Sequence, residues 1–372
     1  MLVETAPLRP GSARSANRNL EPGNNGPEVI LLHASEADQG GIVAATIFYA
    51  AALIAAGHPA EIWTSSLALE KRAKVLGVPV FYRKAFRNAA GPIVNPSIVA
   101  KALKAGHHAK AIIHQGEKLW LFGRVWLRGA AESVVFHNEK IGQRRLFRHW
   151  LALSERHRGD LELFARQRGL RRQISLIRNG PLPNASQVAE SRPAKPIAAI
   201  GALSNFGGKK GTDILIRAFA ELRARGYDVR LVLGGNGFEF KKCQALADEL
   251  GISNKVDWLG WQWDTRAFFQ QIDLFCLPSR KEPFGIVVTE AMQAGLPVVA
   301  TDTSGPRDVV LPGKTGWIVP VGDVAALTAA LVEAVENPAQ TAAYGAAGLD
   351  RYGSTYSLEA AGRLLAEVLG LR

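Results

Sequence analysis

The fold is decided by residues 277–301, which read Leu-Pro-Ser-Arg-Lys-Glu-Pro-Phe-Gly-Ile-Val-Val-Thr-Glu-Ala-Met-Gln-Ala-Gly-Leu-Pro-Val-Val-Ala-Thr. The apolar run that ends in Leu277 predicts one buried strand, and the run that ends in Thr301 predicts a second. Between them lie a polar loop and then a stretch with helical spacing of apolar residues. Strand, loop, helix and strand in succession predict a βαβ unit, and therefore an α/β protein with parallel sheets.

Two glutamates mark this unit. Glu282 lies in the loop at the carboxyl end of the first strand, and Glu290 lies on the helix eight residues later. Ligands of open parallel sheets bind at that edge, and each carboxylate can accept two or more hydrogen bonds from a hydroxyl-rich ligand. Gly285 allows the backbone to approach such a ligand closely. Two solvated acids in an ordinary βαβ unit would give the same pair.

The ordered string Pro-Ser-x-x-Glu-x-Phe-Gly, followed by Glu-Ala-Met-x-x-Gly-x-Pro-Val-Val-Ala-Thr, is far more specific than the pair of glutamates. It resembles the donor-site signature of retaining GT-B glycosyltransferases and, more narrowly, glycosyltransferase family 4. The resemblance implies two Rossmann-like domains that face each other across a cleft. It is strong over residues 197–325 and looser over residues 28–180.

Length and composition limit the class of protein. A chain of 372 residues suggests two α/β domains, and 47% hydrophobic with 21% charged residues indicates a globular protein with large cores. The two cysteines, Cys243 and Cys276, lack metal-ligand spacing, which argues for a reducing compartment without structural zinc. No apolar run reaches the roughly 18 residues of a membrane span. Residues 1–27 lack the hydrophobic core of an export signal.

We expect five segments along the chain, the last of them on the strength of the resemblance. They are a disordered N-terminal tail (1–27), an N-terminal Rossmann-like acceptor domain (28–182), a linker (183–196), a C-terminal Rossmann-like domain for the nucleotide-sugar donor (197–354), and a C-terminal helix that crosses back to the first domain (355–372).

The net charge of +12 is confined to the first half of the chain. Residues 1–190 hold 26 Lys and Arg against 14 Asp and Glu, whereas residues 191–372 hold 19 of each. This asymmetry favours an acidic partner for the first half: phosphorylated lipid, an anionic membrane surface or nucleic acid. Arg144, Arg145 and Arg148 are candidates to face an acceptor or a membrane, although a run of charge is usually a solvated face.

Two places in the first half carry candidate site residues. A strand over 28–34, then Gly40 and Gly41 at the start of an apolar helix, forms a place for a phosphate or sugar oxygen, although a tight turn also needs glycine. The resemblance implies that this loop covers the donor diphosphate. His137 follows a strand over 133–136, and the resemblance places this candidate catalytic histidine near the reacting sugar.

The second half opens with a strand and the loop Gly-Ala-Leu-Ser-Asn-Phe-Gly-Gly-Lys-Lys-Gly, residues 201–211, before a helix. Glycines, two lysines and a helix start supply the backbone donors, dipole and positive charge that a diphosphate needs. The resemblance assigns Lys210 to the donor phosphates, with Lys209 as a possible second cation. The family usually has an arginine where this chain has Ala202, and an ammonium does not reproduce the fork of a guanidinium.

The resemblance also implies roles for the residues around the two glutamates. Glu290 should hold ribose hydroxyls, and Glu282, a candidate catalytic residue, should hold a hydroxyl of the transferred sugar. The amides of Phe284, Gly285 and Ile286 should contact the same sugar.

The sequence thus predicts a retaining glycosyltransferase. It should move a hexose, with mannose or glucose favoured, from a nucleotide-sugar to a phosphorylated or membrane-associated glycan or lipid, in lipopolysaccharide core or related envelope glycan synthesis. No cofactor is expected beyond the nucleotide-sugar co-substrate, and the absence of an Asp-x-Asp motif predicts that no metal is required. We expect a cytoplasmic protein, peripheral on the inner face of the membrane. Residues 119–127, which carry Trp120, Trp126 and Arg124 and are followed by Arg128, are either an interfacial membrane element or a helix packed on the sheet.

Three other functions stay open. A nucleotide-sugar epimerase of the GT-B fold would need the donor but no acceptor. A non-catalytic scaffold that binds nucleotide-sugars is favoured by Ala202. Charge alone permits a nucleic-acid binder, but no recognised nucleic-acid motif accompanies it, so we expect no nucleic-acid partner.

Overall fold

The computed structural model describes residues 29–34, 41–82, 109–114, 131–137, 147–182, 190–262 and 264–371. These residues form two compact units. The first unit contains the described residues up to 153, together with 157–182 and 357–371, and the second contains the described residues of 154–156 and 190–356. The chain is therefore α/β with two parallel sheets, as the sequence predicts. The separate acceptor and donor roles of the two units stay predictions.

The described part of the first unit has a seven-stranded parallel sheet in the order β3-β2-β1-β4-β5-β6-β7. Its strands are β1 (Val29–Ala34), β2 (Ala60–Thr64), β3 (Val80–Tyr82), β4 (Ala109–His114), β5 (Ala131–Val135), β6 (His149–Ala152) and β7 (Gln173–Leu176). The central strand β1 is a continuous apolar run because both faces of a parallel sheet are covered. The strand order reverses between β1 and β4, which makes their carboxyl ends the switch point of this sheet.

The helices described in the first unit pack around that sheet. They are α1 (Gly41–Ala55), α2 (Leu67–Val75), α3 (Glu155–Gln167) and α11 (Leu358–Val368). Helix α1 is apolar on all sides and mostly buried, as a helix covered on every face must be. Helix α11, the last in the sequence, packs against α1 at Gly362, where a Cβ would lie 2.1 Å from the carbonyl oxygen of Ala52.

The second unit has a six-stranded parallel sheet in the order β10-β9-β8-β11-β12-β13. Its strands are β8 (Ala199–Leu203), β9 (Arg230–Gly234), β10 (Val256–Gly260), β11 (Leu274–Leu277), β12 (Val298–Thr301) and β13 (Gly316–Val319). Strands β11 and β12 are entirely buried. They are the two strands predicted from residues 277–301, joined by the helix predicted there.

The second unit's helices lie between and after these strands. They are α4 (Thr212–Ala224), α5 (Phe240–Glu249), α6 (Thr265–Phe269), α7 (Ile286–Gln293), α8 (Ser304–Val309), α9 (Val324–Glu336) and α10 (Pro338–Arg351), with short 3₁₀ and π segments at Ser253–Lys255 and Tyr352–Tyr356. Helix α4 buries the apolar face that its sequence predicts, including Ile214, Leu215 and Phe219.

Part of the expected linker is anchored to the second unit. The Arg192 guanidinium donates three hydrogen bonds, to the carbonyl oxygens of Ala294 (3.0 Å), Ile272 (2.8 Å) and Phe269 (2.9 Å). Burial lowers the pKa of Arg192, an effect that the charge of Asp273 partly offsets. Because three main-chain carbonyls of the second unit hold the Arg192 side chain, the residues just before β8 are anchored to that unit.

The structure differs from the sequence expectation in two elements. Residues 155–167, for which sequence analysis predicts no element, form helix α3 with His157, Leu161 and Ala165 buried. Residues 304–309, for which sequence analysis predicts no element, form helix α8. Pro306 is compatible with α8 because it lies in the first turn, where a missing N–H costs no intrahelical bond.

Candidate functional site

The candidate site of the second unit lies at the switch point of its sheet. Strands β8 and β11 are neighbours, yet the chain leaves β8 towards β9 on one side and leaves β11 towards β12 on the other. In such sheets the crevice outside the carboxyl ends of these two strands is the place where ligands bind. The two loops that begin there are residues 204–211 and 278–285, which we call the glycine–lysine loop and the acidic loop.

The glycine–lysine loop is a tight turn that requires glycine at its end. The amide of Lys210 donates to the carbonyl of Gly207 at 2.8 Å, which closes the turn. Gly211 then adopts a positive φ of 65° directly before α4. A Cβ on Gly211 would lie 2.1 Å from the carbonyl oxygen of Pro278, so no larger residue allows the two loops to approach this closely.

The acidic loop leads from the buried strand β11 into α7. Gly285 precedes α7 with a φ of +85°, again a conformation that favours glycine. Phe284 is buried and its ring meets Tyr356 edge-on, with centroids 6.1 Å apart. The side chain of Phe284 thus packs in the core, and its backbone lies in the loop at the site. Glu290 lies in the second turn of α7 and is half-buried.

An ion pair brings the two loops together. The Lys210 Nζ lies 2.6 Å from Glu282 Oε2, and the two side chains are 25% and 11% exposed. This contact joins the residue that sequence analysis assigns to the donor phosphates with the residue it assigns to a sugar hydroxyl. The two candidate residues therefore share one location, which the linear sequence leaves 72 residues apart.

Main-chain contacts hold the same loops in register. The amides of Arg280 and Lys281 both donate to the carbonyl of Lys209, at 2.8 and 3.3 Å. The side chain of Lys209 is exposed. Lys209 consequently contributes structure through its backbone and leaves a cation at the surface beside Lys210.

Helix α8 supports the acidic loop from below. The amide of Gly305 donates to the carbonyl of Glu282 at 3.1 Å. A Cβ on Gly305 would lie 2.2 Å from the Cα of Phe284, so the loop rests directly on the helix backbone.

The arrangement suits an anion beside a polyhydroxylated group. Helices α4 and α7 both begin at this edge, at Thr212 and Ile286, and the first amides of a helix lack intrahelical partners and carry its positive dipole end. Two lysines add positive charge on one side, and two carboxylates add hydrogen-bond acceptors on the other.

Other candidate residues lie in the first unit or outside the described residues. Gly41 is the exposed first residue of α1, at the switch point of the first sheet, and His137 lies half-buried just past the carboxyl end of β5. Arg148 is exposed and precedes β6, which places it at the amino edge, opposite the edge where ligands bind. Gly40, Arg144, Arg145 and residues 119–127 lie outside the described residues.

Sequence analysis overlooked Asp213 and Arg280. Arg280 follows β11 and contacts Asp213 in the first turn of α4. The hydrogen bond from Arg280 is the main reason that the pKa of Asp213 lies below its usual value. An acidic residue at a helix start is common enough that only the fold identifies its partner. Ala202, where the resemblance implies an arginine, is a buried residue of β8.

Two kinds of element are absent from the described part of the chain. Those residues contain no group of three or more His, Cys, Asp or Glu side chains arranged to hold a metal ion. None of the described helices has both the length and the apolarity needed to cross a bilayer.

The second unit is similar to a known protein family. Residues 187–351 match the family described as glycosyl transferases group 1. The chain is 33% identical over 173 residues to the lipopolysaccharide core biosynthesis glycosyltransferase LpsE of Rhizobium meliloti, which covers 45% of this chain and 49% of that protein. It is 35% identical over 179 residues to the GDP-mannose-dependent alpha-(1-6)-phosphatidylinositol monomannoside mannosyltransferase of Mycolicibacterium smegmatis, over 46% of this chain and 47% of that protein.

The matched region thus spans about half the length of these curated relatives. Solved structures extend the comparison to most of the chain. Anabaena Alr3699/HepE in complex with UDP and glucose superposes with a TM-score of 0.73 at 20% identity, over 92% of this chain and 99% of that one. At that identity the likeness concerns the fold, which is the GT-B fold of glycosyltransferases. Residues 187–351 are therefore similar to the glycosyl transferases group 1 family, and the chain has the GT-B fold.

Proposed function

We propose that the chain is a retaining glycosyltransferase that moves a hexose, mannose or glucose being favoured, from a nucleotide-sugar to a phosphorylated or membrane-associated glycan or lipid. The observation that carries this proposal is the Lys210–Glu282 contact at the sheet's switch point. It joins a cationic loop suited to a diphosphate with an acidic loop suited to sugar hydroxyls. A nucleotide-sugar is the ligand that has both groups side by side.

The diphosphate, the ribose and the transferred sugar of the donor each have matching residues. Lys209, Lys210 and the start of α4 would stabilise the negative charge that accumulates on the departing diphosphate. Glu290 would hold the ribose hydroxyls, and Glu282 a hydroxyl of the transferred sugar. The Phe284, Gly285 and Ile286 amides would contact the same sugar.

The reaction would proceed on one face of the sugar. The acceptor hydroxyl oxygen forms a bond to the anomeric carbon while the bond from that carbon to the diphosphate oxygen breaks. The acceptor proton passes to the leaving phosphate, so no base is required. His137 would bind the donor sugar or stabilise the positive charge that develops at its ring. No metal is part of this scheme.

The acceptor is inferred from charge and from relatives. The proteins named above act in lipopolysaccharide core biosynthesis and on a phosphatidylinositol mannoside, according to their names. The first half of this chain carries the whole net charge of +12. A phosphorylated acceptor at the inner face of the cytoplasmic membrane, within lipopolysaccharide core or related envelope glycan synthesis, agrees with both observations.

The described part of the first unit also has a surface suited to such a membrane. Five arginines lie at the amino edge of its sheet or on the segment that returns to it, and we call them the arginine cluster: Arg148, Arg166, Arg168, Arg171 and Arg172. No acidic residue occurs between Leu163 and Gln173, and Leu163, one turn before Arg166 on α3, is 50% exposed. Guanidinium groups beside an exposed aliphatic side chain match an anionic lipid surface.

Release of nucleoside diphosphate tests the proposed activity. The protein would be incubated with a nucleotide-sugar, with and without a lipopolysaccharide core acceptor, and the product anomer assigned by NMR. Acceptor-dependent release with retained configuration supports the proposal. Conversion of the sugar without acceptor would indicate an epimerase instead, and binding without turnover would indicate a scaffold.

A further inference from the structure

Arg280 connects the two loops of the candidate site through its side chain. Its Nη1 and Nη2 donate to Oδ1 and Oδ2 of Asp213 at 2.8 and 2.7 Å, which is a two-pronged contact. Nη1 also donates to the carbonyl of Gly208 at 3.1 Å. The Arg280 side chain of the acidic loop thus donates hydrogen bonds both to the glycine–lysine loop and to the first turn of α4.

The backbone of the same residue contacts the same loop. The amide of Arg280 donates to the carbonyl of Lys209 at 2.8 Å. Gly208 and Lys209, two consecutive residues directly before Lys210, are therefore held through their carbonyls by Arg280. The phosphate-binding candidates Lys209 and Lys210 consequently lie on a segment that Arg280 contacts through both its side chain and its backbone.

The electrostatics of the contact favour its charged form. The hydrogen bond from Arg280 lowers the pKa of Asp213, and the hydrogen bond to Asp213 raises the pKa of Arg280. Both groups are about 40% exposed, so water weakens the pair's contribution to global stability. Such a contact is better suited to fixing a loop than to stabilising the whole fold.

We propose that Arg280 is a positioning residue for donor binding, which fixes the glycine–lysine loop through Asp213 and the Gly208 carbonyl. The inference rests on the proposed function, because it assigns a role to the loop that would hold the donor diphosphate. It also accounts for Ala202. In this chain the guanidinium fork comes from Arg280 in the acidic loop and not from position 202. It acts on the shape of the glycine–lysine loop.

The geometry requires a planar fork. Asp213 takes up both terminal nitrogens, while Nη1 also reaches Gly208. A lysine at this position keeps the charge but offers a single nitrogen. Arg280→Lys should therefore recover only part of the function that Arg280→Ala loses.

The test compares Arg280→Ala, Arg280→Lys and Asp213→Asn with the control Arg217→Ala. Arg217 is an exposed arginine on the same helix as Asp213, one turn further along. Donor affinity would be measured by calorimetry with the nucleotide-sugar that binds the wild-type protein, and kcat at saturating donor. Amide hydrogen exchange over residues 207–211 would be followed in the ligand-free protein.

We expect Arg280→Ala to weaken donor binding about tenfold, with kcat at saturation changed less than about threefold, because the loop but not the chemistry is disturbed. Arg280→Ala should also speed amide hydrogen exchange across residues 207–211. When Asp213→Asn is added to Arg280→Ala, donor binding should weaken little further, since the two residues act as one contact. Arg217→Ala should match the wild type.

Unchanged affinity and unchanged exchange in Arg280→Ala would overturn the proposal, as would an equal loss in Arg217→Ala. Should the wild-type protein bind no nucleotide-sugar, the proposed function fails. Hydrogen exchange of the free protein still decides whether Arg280 fixes the loop.

Discussion

At the scale of single residues, the Lys210–Glu282 contact would connect donor binding to sugar recognition under the proposed function. In the free protein each charge has the other as its partner, at 2.6 Å. A bound diphosphate would offer Lys210 a second anion, and Glu282 would gain freedom to accept from a sugar hydroxyl. Such an exchange of partners keeps both half-buried charges satisfied before and after binding, which avoids the cost of leaving one unpaired.

Replacement of Glu290 and of His137 should separate binding from turnover. Glu290→Ala removes a carboxylate assigned to the ribose, so it should raise the donor Kd by about tenfold or more, in line with about 1.5 to 3 kcal/mol for hydrogen bonds to a charged group. His137→Ala should mainly lower kcat. Steady-state kinetics with varied donor measures both effects, and an unchanged donor affinity in Glu290→Ala would contradict its assignment.

His149 should make stability depend on pH near neutrality. Its ring nitrogens lie 2.9 Å from the hydroxyls of Ser133 and Ser175, and burial lowers its pKa. In the unfolded chain the pKa of His149 is near 6.5, which is higher than its pKa in the folded protein. Stability is thus complete above that pH and declines as the pH falls through it, until the folded group also binds its proton.

His149→Gln supplies the measurement, because an amide can bond to both serines but does not titrate. Thermal unfolding from pH 8 to pH 5 should show a smaller decline in the variant than in the wild-type protein. Parallel curves for the two proteins would contradict the assignment to His149.

At the scale of elements, buried strands and helices with clear apolar runs could be located from the sequence. The bounds or the presence of the other elements depend on tertiary contacts. The helix and strands around residues 277–301 were predictable because turn glycines and apolar periodicity agree there. The bounds of strand β7, Gln173–Leu176, could not be located from the sequence, since only its pairing with β6 sets its register. Helix α3 was missed because its exposed face is rich in arginine.

The site shows the same division. Sequence analysis could name Glu282 and Lys210 because each lies in a recognisable motif. It could not show that they touch, nor that Arg280 and Asp213 join them, because these residues are far apart in the chain and only the sheet order makes their loops neighbours.

The packing of α11 on α1 should tolerate no side chain at Gly362. A Cβ there would lie 2.1 Å from the carbonyl oxygen of Ala52 and 3.1 Å from the Cβ of Ala56. We expect Gly362→Ala to destabilise the first unit by about 1 to 3 kcal/mol, the usual cost of overpacking. Urea unfolding measures the loss.

Gly159→Ala on α3 is the matched control, since nothing lies within 4 Å of a Cβ at that position. This substitution should leave the stability unchanged or raise it, because glycine is less stable than alanine in the interior of a helix. A wild-type stability for Gly362→Ala would contradict the close packing of α11 on α1.

At the scale of the whole molecule, the two sheets follow one plan and differ in charge. Both are parallel and each has a switch point beside its first strand, β1 in one and β8 in the other. The excess charge, however, belongs entirely to residues 1–190. This asymmetry is the basis for the proposed contact with an anionic surface.

Vesicle binding tests that connection. The protein should co-sediment with vesicles of phosphatidylglycerol and phosphatidylcholine, but not with phosphatidylcholine alone. Arg166→Gln combined with Arg171→Gln should weaken binding about tenfold or more, given ~1 kcal/mol for each cation near an anionic membrane. Arg217→Gln with Arg225→Gln removes the same charge from the second unit and should have no effect. Equal losses in the two double variants would refute a specific role for the arginine cluster.

The most direct test of the central claim is thermal unfolding of the wild-type protein and Lys210→Ala with UDP-, GDP-, ADP- and CDP-sugars. A ligand that binds only the folded state raises the unfolding midpoint. The account predicts that sugars of one nucleotide raise the wild-type midpoint selectively and that Lys210→Ala loses this shift. A wild-type midpoint that no nucleotide-sugar raises, or a full shift in Lys210→Ala, would contradict a donor site built from the glycine–lysine and acidic loops.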